Sequence, residues 1–285
     1  MKLATFTNGA APQPGVVVDE TTIVPLGAVA PDMKSLIAGW DALHSAAAAA
    51  ATAREGALDL AAVRLLAPVP RPGKILAIGL NYADHIAETG MQTPAHQIWF
   101  TKPGTAVNGP YDDIAIPRGS TMTDYEVELV VVIGKRGRHI AKEDAAGHVF
   151  GYCVGNDVSE RVWQRLTPQF TLGKGFDTHA PFGPWITTAD AAGDVHALGI
   201  RCMVDGEIRQ DSNTRHLIFS VWDQIAELSK VMTLEPGDVI YTGTPGGVGA
   251  ARKPPAMLHA GCQVRCEIDG LGAIEARCTA DQAAD

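Results

Sequence analysis

The stretch Thr123-Asp-Tyr-Glu126-Val-Glu128-Leu-Val-Val-Val-Ile133 decides how this chain reads. From Leu129 to Ile133 every residue is large and apolar, mostly β-branched. Such a run reads as a strand entering a core. Ahead of it, Glu126 and Glu128 stand two residues apart, and on a strand such side chains share a face. Two carboxylates side by side at the mouth of an apolar strand repel each other, and burial sharpens the repulsion. A divalent cation resolves it. The ordinary alternative is a pair of glutamates on the solvent face of an edge strand.

Working outward, further strand signals fall at 74–78, 149–154, 200–204, 238–242 and 263–268. The clearest helix is expected over 216–232, with Leu217, Val221, Ile225 and Leu228 on one stripe and an N-cap within 211–214. Many strands with few interspersed helices predict a β-rich α+β fold rather than a doubly wound sheet. Three prolines within 67–73 interrupt any helix or central strand and suggest a boundary. Residues 1–70 then form a small N-terminal α+β domain. It has a hairpin from 15–18 and 22–26 and one or two helices in the alanine-dominated stretch 36–61. Residues 71–285 form the main domain.

Composition narrows the function. The 285 residues are 46% hydrophobic and 19% charged, enough for a sizeable core. The net charge of −9 disfavours nucleic acid and anionic lipid as partners. No apolar run approaches the roughly 20 residues of a membrane span, and the first residues lack a signal-peptide core. A cytoplasmic protein is expected. Five cysteines at irregular spacing do not resemble a disulfide framework. Cys262 and Cys266 read as core thiols on one strand face rather than half of a zinc site.

Three more clusters carry chemistry. Asp157 follows the 149–154 strand signal. With Glu126 and Glu128 it makes an oxygen-only set suited to Mg²⁺, Mn²⁺ or Ca²⁺. His85 and Glu88 lie three apart in GLNYADHIAETG (79–90), so on a helical turn they face the same side. A carboxylate beside imidazole raises its basicity and orients it as a base toward water, although a plain surface pair has the same spacing. Lys174 sits between Gly173 and Gly175, where it either points into a cavity to hold an anionic oxygen or is an ordinary loop lysine. The glycines of 243–249 suggest a tight loop whose N–H groups bind a carboxylate. It lacks the Gly-Lys-Ser/Thr ending of a phosphate loop.

From about 71 to 278 the chain resembles the fumarylacetoacetate hydrolase family, and bacterial acylpyruvate hydrolase or 2-hydroxyhepta-2,4-diene-1,7-dioate isomerase members in particular. The resemblance is carried by GLNYADHIAETG, FTKP, DYEVELVVVIGK, GYCVGNDVSERVWQ, GKGFDTHAPFGPW, LSKVMTLEPGDVIYTGTPGGVG and RKPP, in that order. One departure is Leu258-His-Ala-Gly261-Cys262, where the family commonly has Leu-x-x-Gly-Asp. The resemblance implies a mixed β-sandwich roll, a homodimer and a small-molecule keto-acid substrate. It implies Glu126, Glu128 and Asp157 as ligands of Mg²⁺ or Mn²⁺, and His85 with Glu88 as a water-activating dyad on a lid. It implies that Arg161, Gln164, Lys174 and Thr244 hold substrate oxygens, and in a hydrolytic reaction Lys174 would help stabilise the tetrahedral oxyanion.

The first expectation is hydrolysis of a C–C bond in a 1,3-diketo acid of the acylpyruvate or fumarylpyruvate type, giving pyruvate and a carboxylic acid. The second is decarboxylation or isomerisation of a 2-oxo or 2-hydroxy-dienoate diacid through the same metal enolate. A third is dehydration or hydrolysis of a sugar-derived keto acid, and the non-catalytic alternative is a metal-stabilised binding protein. Lys102 and Arg165 are candidates for a second anion site or for solvated surface.

Overall fold

Runs of β-branched residues fold into two sheets that pack against each other. The computed structural model describes residues 1–90 and 92–281. The larger sheet is centred on Val127–Ile133. This strand pairs antiparallel with Val149–Asn156 on one side and Val239–Tyr241 on the other. Beyond Val239–Tyr241 lie Ile75–Gly79, which is parallel to it, and then Ile98–Thr101. Beyond Val149–Asn156 lies Ala180–Thr188. The smaller sheet runs Glu207–Asn213, Gly199–Val204, Gln263–Ile268, Gly272–Ala280 and Ile114–Ile116.

Alternation along the central strand separates two cores. Val127, Leu129, Val131 and Ile133 pack with Ile200, Val264 and Ile274 of the smaller sheet. Val130 and Val132 face the other way, into a core shared with Leu3, Leu36, Phe150 and Phe182. A strand buried on both faces accounts for the unbroken apolar run from Leu129. Parity also places Glu128 on the Val130 face, at the strand's open end.

The N-terminal 70 residues extend the larger sheet. Lys2–Thr7 pairs with Ala180–Thr188, placing Leu3 opposite Ile186. The expected hairpin forms from Gln13–Val17 and Thr22–Pro25, with Val16 opposite Val24. The alanine-rich stretch forms helices Met33–Ala38 and Trp40–Ala53, the first capped by the Asp32 side chain. Strand Ala180–Thr188 escapes a sequence reading because Pro181 and Pro184 each remove a ladder N–H.

The expected 216–232 helix starts later, as Val221–Val231. A capping box between Ser220 and Asp223 sets its start. The residues before it are held in other ways. The backbone N–H groups of Ile218 and Phe219 donate to the carbonyl and the side-chain oxygen of Asn81. All five cysteines are buried and free, with Cys202 directly opposite Cys266 across two strands. Among the described residues, no helix is long and apolar enough to cross a membrane.

His179 precedes Ala180–Thr188 and ties two segments together, its Nε2 lying 2.9 Å from the Ala115 carbonyl oxygen. Burial pushes its pKa down to about 4, against 6.5 for an ordinary histidine. The neutral ring is therefore native. As pH falls below 6.5 the unfolded chain takes up a proton that the folded chain refuses, so stability is lost between pH 6.5 and 4. The loss should approach about 3 kcal/mol from this residue. Denaturation of wild type and His179→Gln at pH 7.5 and 4.5 checks it: the variant should show a smaller fall between the two.

Candidate active site

A backbone break delivers Glu126, while Glu128 stands on regular strand. Thr123–Asp124 forms a short bridge with Ser159–Glu160, and the main strand restarts at Val127. Glu126 therefore sits in a break rather than on the continuous strand that its spacing predicted. The break is bonded on each side. The Glu126 N–H donates to the Asn156 side-chain oxygen at 2.9 Å, and the Asp157 N–H donates to the Glu126 carbonyl at 2.8 Å. The Val127 N–H donates to Gln210 Oε1 at 3.0 Å. These bonds bring Asp157 beside the two glutamates, and one carboxylate oxygen from each lies within 4.8 Å of the others. All three residues are buried, so the solvent-face alternative for the glutamates is excluded.

Burying this much like charge requires counter-charge. Lys174 Nζ is 2.6 Å from both Glu126 Oε2 and Asp157 Oδ2. Arg161 bridges Asp124 Oδ2 at 2.8 Å and Glu126 Oε1 at 2.7 Å. Lys102 Nζ is 2.5 Å from Asp157 Oδ1 and 3.2 Å from the Val158 carbonyl. Lys102 is thus neither a substrate anion site nor solvated surface. It is 3% exposed and neutralises a carboxylate in the core.

Four carboxylates face these three cations. Among the described residues Glu128 has no basic side chain in ion-pair distance, and its carboxylate accepts the Gly243 N–H at 2.7 Å. Burial, with the charges of Asp157 and Glu126, drives its pKa well above the usual carboxylate range. Glu126 behaves in the opposite way. Burial opposes its charge, but Lys174 and Arg161 outweigh burial and hold it down at about 2. One uncompensated negative charge amid three oxygen donors is the chemistry of a hard divalent cation site, and the residues fit one.

The glycine-rich loop after Val239–Tyr241 does bind carboxylates, and they are the protein's own. Gly243 donates to Glu128, Gly247 to Glu88, and Gly249 with Ala250 to Asp124. Thr244 donates its hydroxyl to the Val127 carbonyl at 3.0 Å and accepts from Gln210 Nε2 at 2.8 Å, so here it braces the break.

His85 and Glu88 lie on helix Ala83–Thr89, which follows Ile75–Gly79. Asn81 pins the connection by donating to the carbonyls of Phe219 and Thr242 at 3.0 and 2.8 Å. His85 is buried, and burial lowers its pKa against the opposing charge of Glu126. Glu88 is exposed and bonded to the Gly247 N–H.

A cavity of ≈ 590 Å³ gathers these groups, with His85, Glu88, Glu126, Glu128, Arg161, Gln164, Lys174 and Thr244 in its wall. The candidate site residues line it except Asp157 and Lys102, and Asp157 lies fully buried behind Lys174 and Lys102. Sequence reasoning missed Asp124, Gln210 and Asn81. Asp124 had a signal, since it continues the two-residue spacing of Glu126 and Glu128. Gln210 and Asn81 had none, because their partners are distant in sequence.

Arg165 and Lys174 close the short helices Arg161–Arg165 and Thr171–Lys174, which touch at Gly173. A Cβ there would collide with the Gln164 backbone. Gly173→Ala should therefore push Lys174 off its two carboxylates. The expected result is a melting temperature several degrees lower and at least a tenfold loss of turnover; unchanged stability and activity would refute the close approach.

The comparisons with known proteins agree with this geometry. The family described as "Fumarylacetoacetate (FAA) hydrolase C-terminal" matches residues 74–279. The chain is 44% identical over 283 residues to a mitochondrial oxaloacetate tautomerase of Xenopus laevis, covering 96% of this chain and 89% of that protein. It is 46% identical over 244 residues to a human mitochondrial oxaloacetate tautomerase, covering 85% and 78%. Among solved structures it resembles the maleylpyruvate hydrolase of Sphingobium sp. SYK-6 in complex with manganese(II) and pyruvate. That match has a TM-score of 0.84 and 35% identity over 99% and 100% of the two chains. It also resembles the fumarylacetoacetate hydrolase of Exiguobacterium antarcticum, with a TM-score of 0.86 and 34% identity over the same shares. A buried acidic triad, a cavity with a histidine in its wall and a match over most of the sequence lead to one conclusion: this chain is an enzyme of the fumarylacetoacetate hydrolase family.

Proposed function

We propose that the protein is a divalent-metal-dependent enzyme that interconverts the keto and enol forms of a 2-oxo diacid of the oxaloacetate type. The observation that carries this reading is a buried His85, its pKa lowered, in the wall of the same cavity as Glu126 and Glu128 of the buried triad. A neutral imidazole at pH 7 is a base and, once protonated, an acid, which is what moving a proton between carbon and oxygen needs. The tautomerases of Xenopus laevis and human support the same reading.

Glu126, Glu128 and Asp157 would hold Mg²⁺ or Mn²⁺, with Ca²⁺ admitted by the same oxygen donors. The bound ion would supply Lewis-acid stabilisation of the negative charge that grows on oxygen as a proton leaves the adjacent carbon. The chain does the rest. Arg161 and Lys174, while paired with Glu126 and Asp157, turn their remaining N–H groups to the oxygens of the keto-acid head. Lys102 holds Asp157 in place. His85 takes the proton from C3 and returns it to the enol oxygen, or the reverse. Asn81 and the glycine-rich loop hold helix and carboxylates in register while this happens.

A second reading is C–C hydrolysis of an acylpyruvate, supported by the likeness to maleylpyruvate hydrolase. Here His85 and Glu88 would deprotonate a water that attacks the distal carbonyl. The C–C bond breaks, the pyruvate enolate takes a proton, and the products are pyruvate and a carboxylic acid. This reading asks more of Glu88, whose carboxylate is bonded to the Gly247 N–H.

Purified protein with Mn²⁺, given oxaloacetate, maleylpyruvate and acetylpyruvate in parallel, separates the readings. Loss of the enol absorbance of oxaloacetate without carbon loss supports tautomerisation. Pyruvate plus a second acid in the NMR spectrum moves the assignment to hydrolysis, and carbon dioxide with pyruvate from oxaloacetate moves it to decarboxylation. Two variants test the roles. Glu126→Gln or Asp157→Asn should weaken Mn²⁺ binding at least tenfold by calorimetry and remove every activity together; retained affinity refutes the ligand set. His85→Ala should keep the metal and lose about 10²–10⁴ in kcat.

A further inference from the structure

The cations around the cavity are not equivalent. Arg161 and Lys174 are committed to Asp124, Glu126 and Asp157, and Lys102 lies behind the cavity on Asp157. Arg165 also lines the cavity, yet no carboxylate among the described residues lies within ion-pair distance of it. Its side chain is exposed to solvent at the wall. In a chain of net charge −9, an arginine facing a cavity with no acid against it is available for an anion from outside.

Its position is defined by Arg161. Both lie on helix Arg161–Arg165, four residues apart, and so on the same face. Four residues advance about 6 Å along a helix axis. Arg161 is anchored at the triad through Glu126, so Arg165 stands about one helical turn away from the metal end of the cavity. Val248, Ala250 and Ala251 line the same cavity and offer a wall without charge to a carbon chain. The cavity of ≈ 590 Å³ exceeds what a three-carbon keto acid requires.

We propose that Arg165 is the specificity-determining residue of this site, binding the distal carboxylate of a 2-oxo diacid whose keto-acid head sits at the triad. This rests on the reading of the site as one for 2-oxo diacids, and it assigns recognition of the second carboxylate to one side chain. A guanidinium binds a carboxylate through two parallel N–H bonds, while a methyl terminus gains nothing from it. Selectivity therefore comes from one side chain outside the metal-binding machinery.

The test uses Mn²⁺-loaded full-length protein. Wild type, Arg165→Met and Arg165→Lys are compared on oxaloacetate and maleylpyruvate, which end in a carboxylate, and on acetylpyruvate, which ends in a methyl. Arg165→Met should lower the ratio of kcat/KM for diacid over acetylpyruvate at least tenfold, mainly through KM for the diacid, and Arg165→Lys should restore part of it. An unchanged ratio overturns the assignment. Calorimetric binding of oxaloacetate and of pyruvate to the same proteins separates the two ideas. Wild type that neither binds nor turns over any keto acid refutes the reading of the site itself. Oxaloacetate binding that Arg165→Met leaves unaltered refutes the role of Arg165 alone.

Discussion

The site depends on the burial of four carboxylates where the start of strand Val127–Ile133 meets the end of Val149–Asn156. Asp124, Glu126, Glu128 and Asp157 are at most 5% exposed, where unpaired ionised groups are prohibitively costly. The fold brings three cations from three separate places: Lys102 after strand Ile98–Thr101, Arg161 at the start of one short helix and Lys174 at the end of another. Their ammonium and guanidinium groups leave one negative charge uncompensated. That residue of charge falls on Glu128, which burial and its neighbours push toward its neutral form. The same imbalance that costs stability suits the cluster to a divalent cation.

The carboxylates are held by side-chain amides as much as by the sheet. A regular ladder would place residues by backbone bonding alone, but Glu126 sits in a gap between Asp124 and Val127. Asn156 and Gln210 accept the N–H groups left free by that gap, and Gln210 passes the bond on to Thr244 and the Pro245 carbonyl. Asn81 does the same service at the start of the His85 helix. Buried amides that satisfy broken backbone rigidify a site because each has few alternative partners. The glycine-rich loop completes the frame by turning successive N–H groups onto Glu128, Glu88 and Asp124. A loop that looks built for a ligand carboxylate is thereby largely engaged by the enzyme's own.

Much of this was legible in the chain. The apolar run 129–133, the alternating segments and the alanine stretch declare a β-rich α+β fold, because side-chain periodicity is a local property that burial enforces residue by residue. Glu126, Glu128, Asp157, His85 and Lys174 could be singled out as well, since polar groups next to apolar strands are chemically conspicuous. Boundaries were less legible. The helix expected from 216 begins at Val221 because Asn81, far away in sequence, captures the backbone at 218 and 219.

Local pattern thus sets the kinds of element and marks the acidic residues and the candidate base. Which charge meets which is settled by packing. It put Lys102 under Asp157, turned Thr244 to the strand and left Arg165 lining the cavity with no acid in ion-pair distance among the described residues. The reason is physical: periodicity is written over neighbouring residues, but ion pairing depends on distance in space, and 55 residues separate Lys102 from the carboxylate it neutralises.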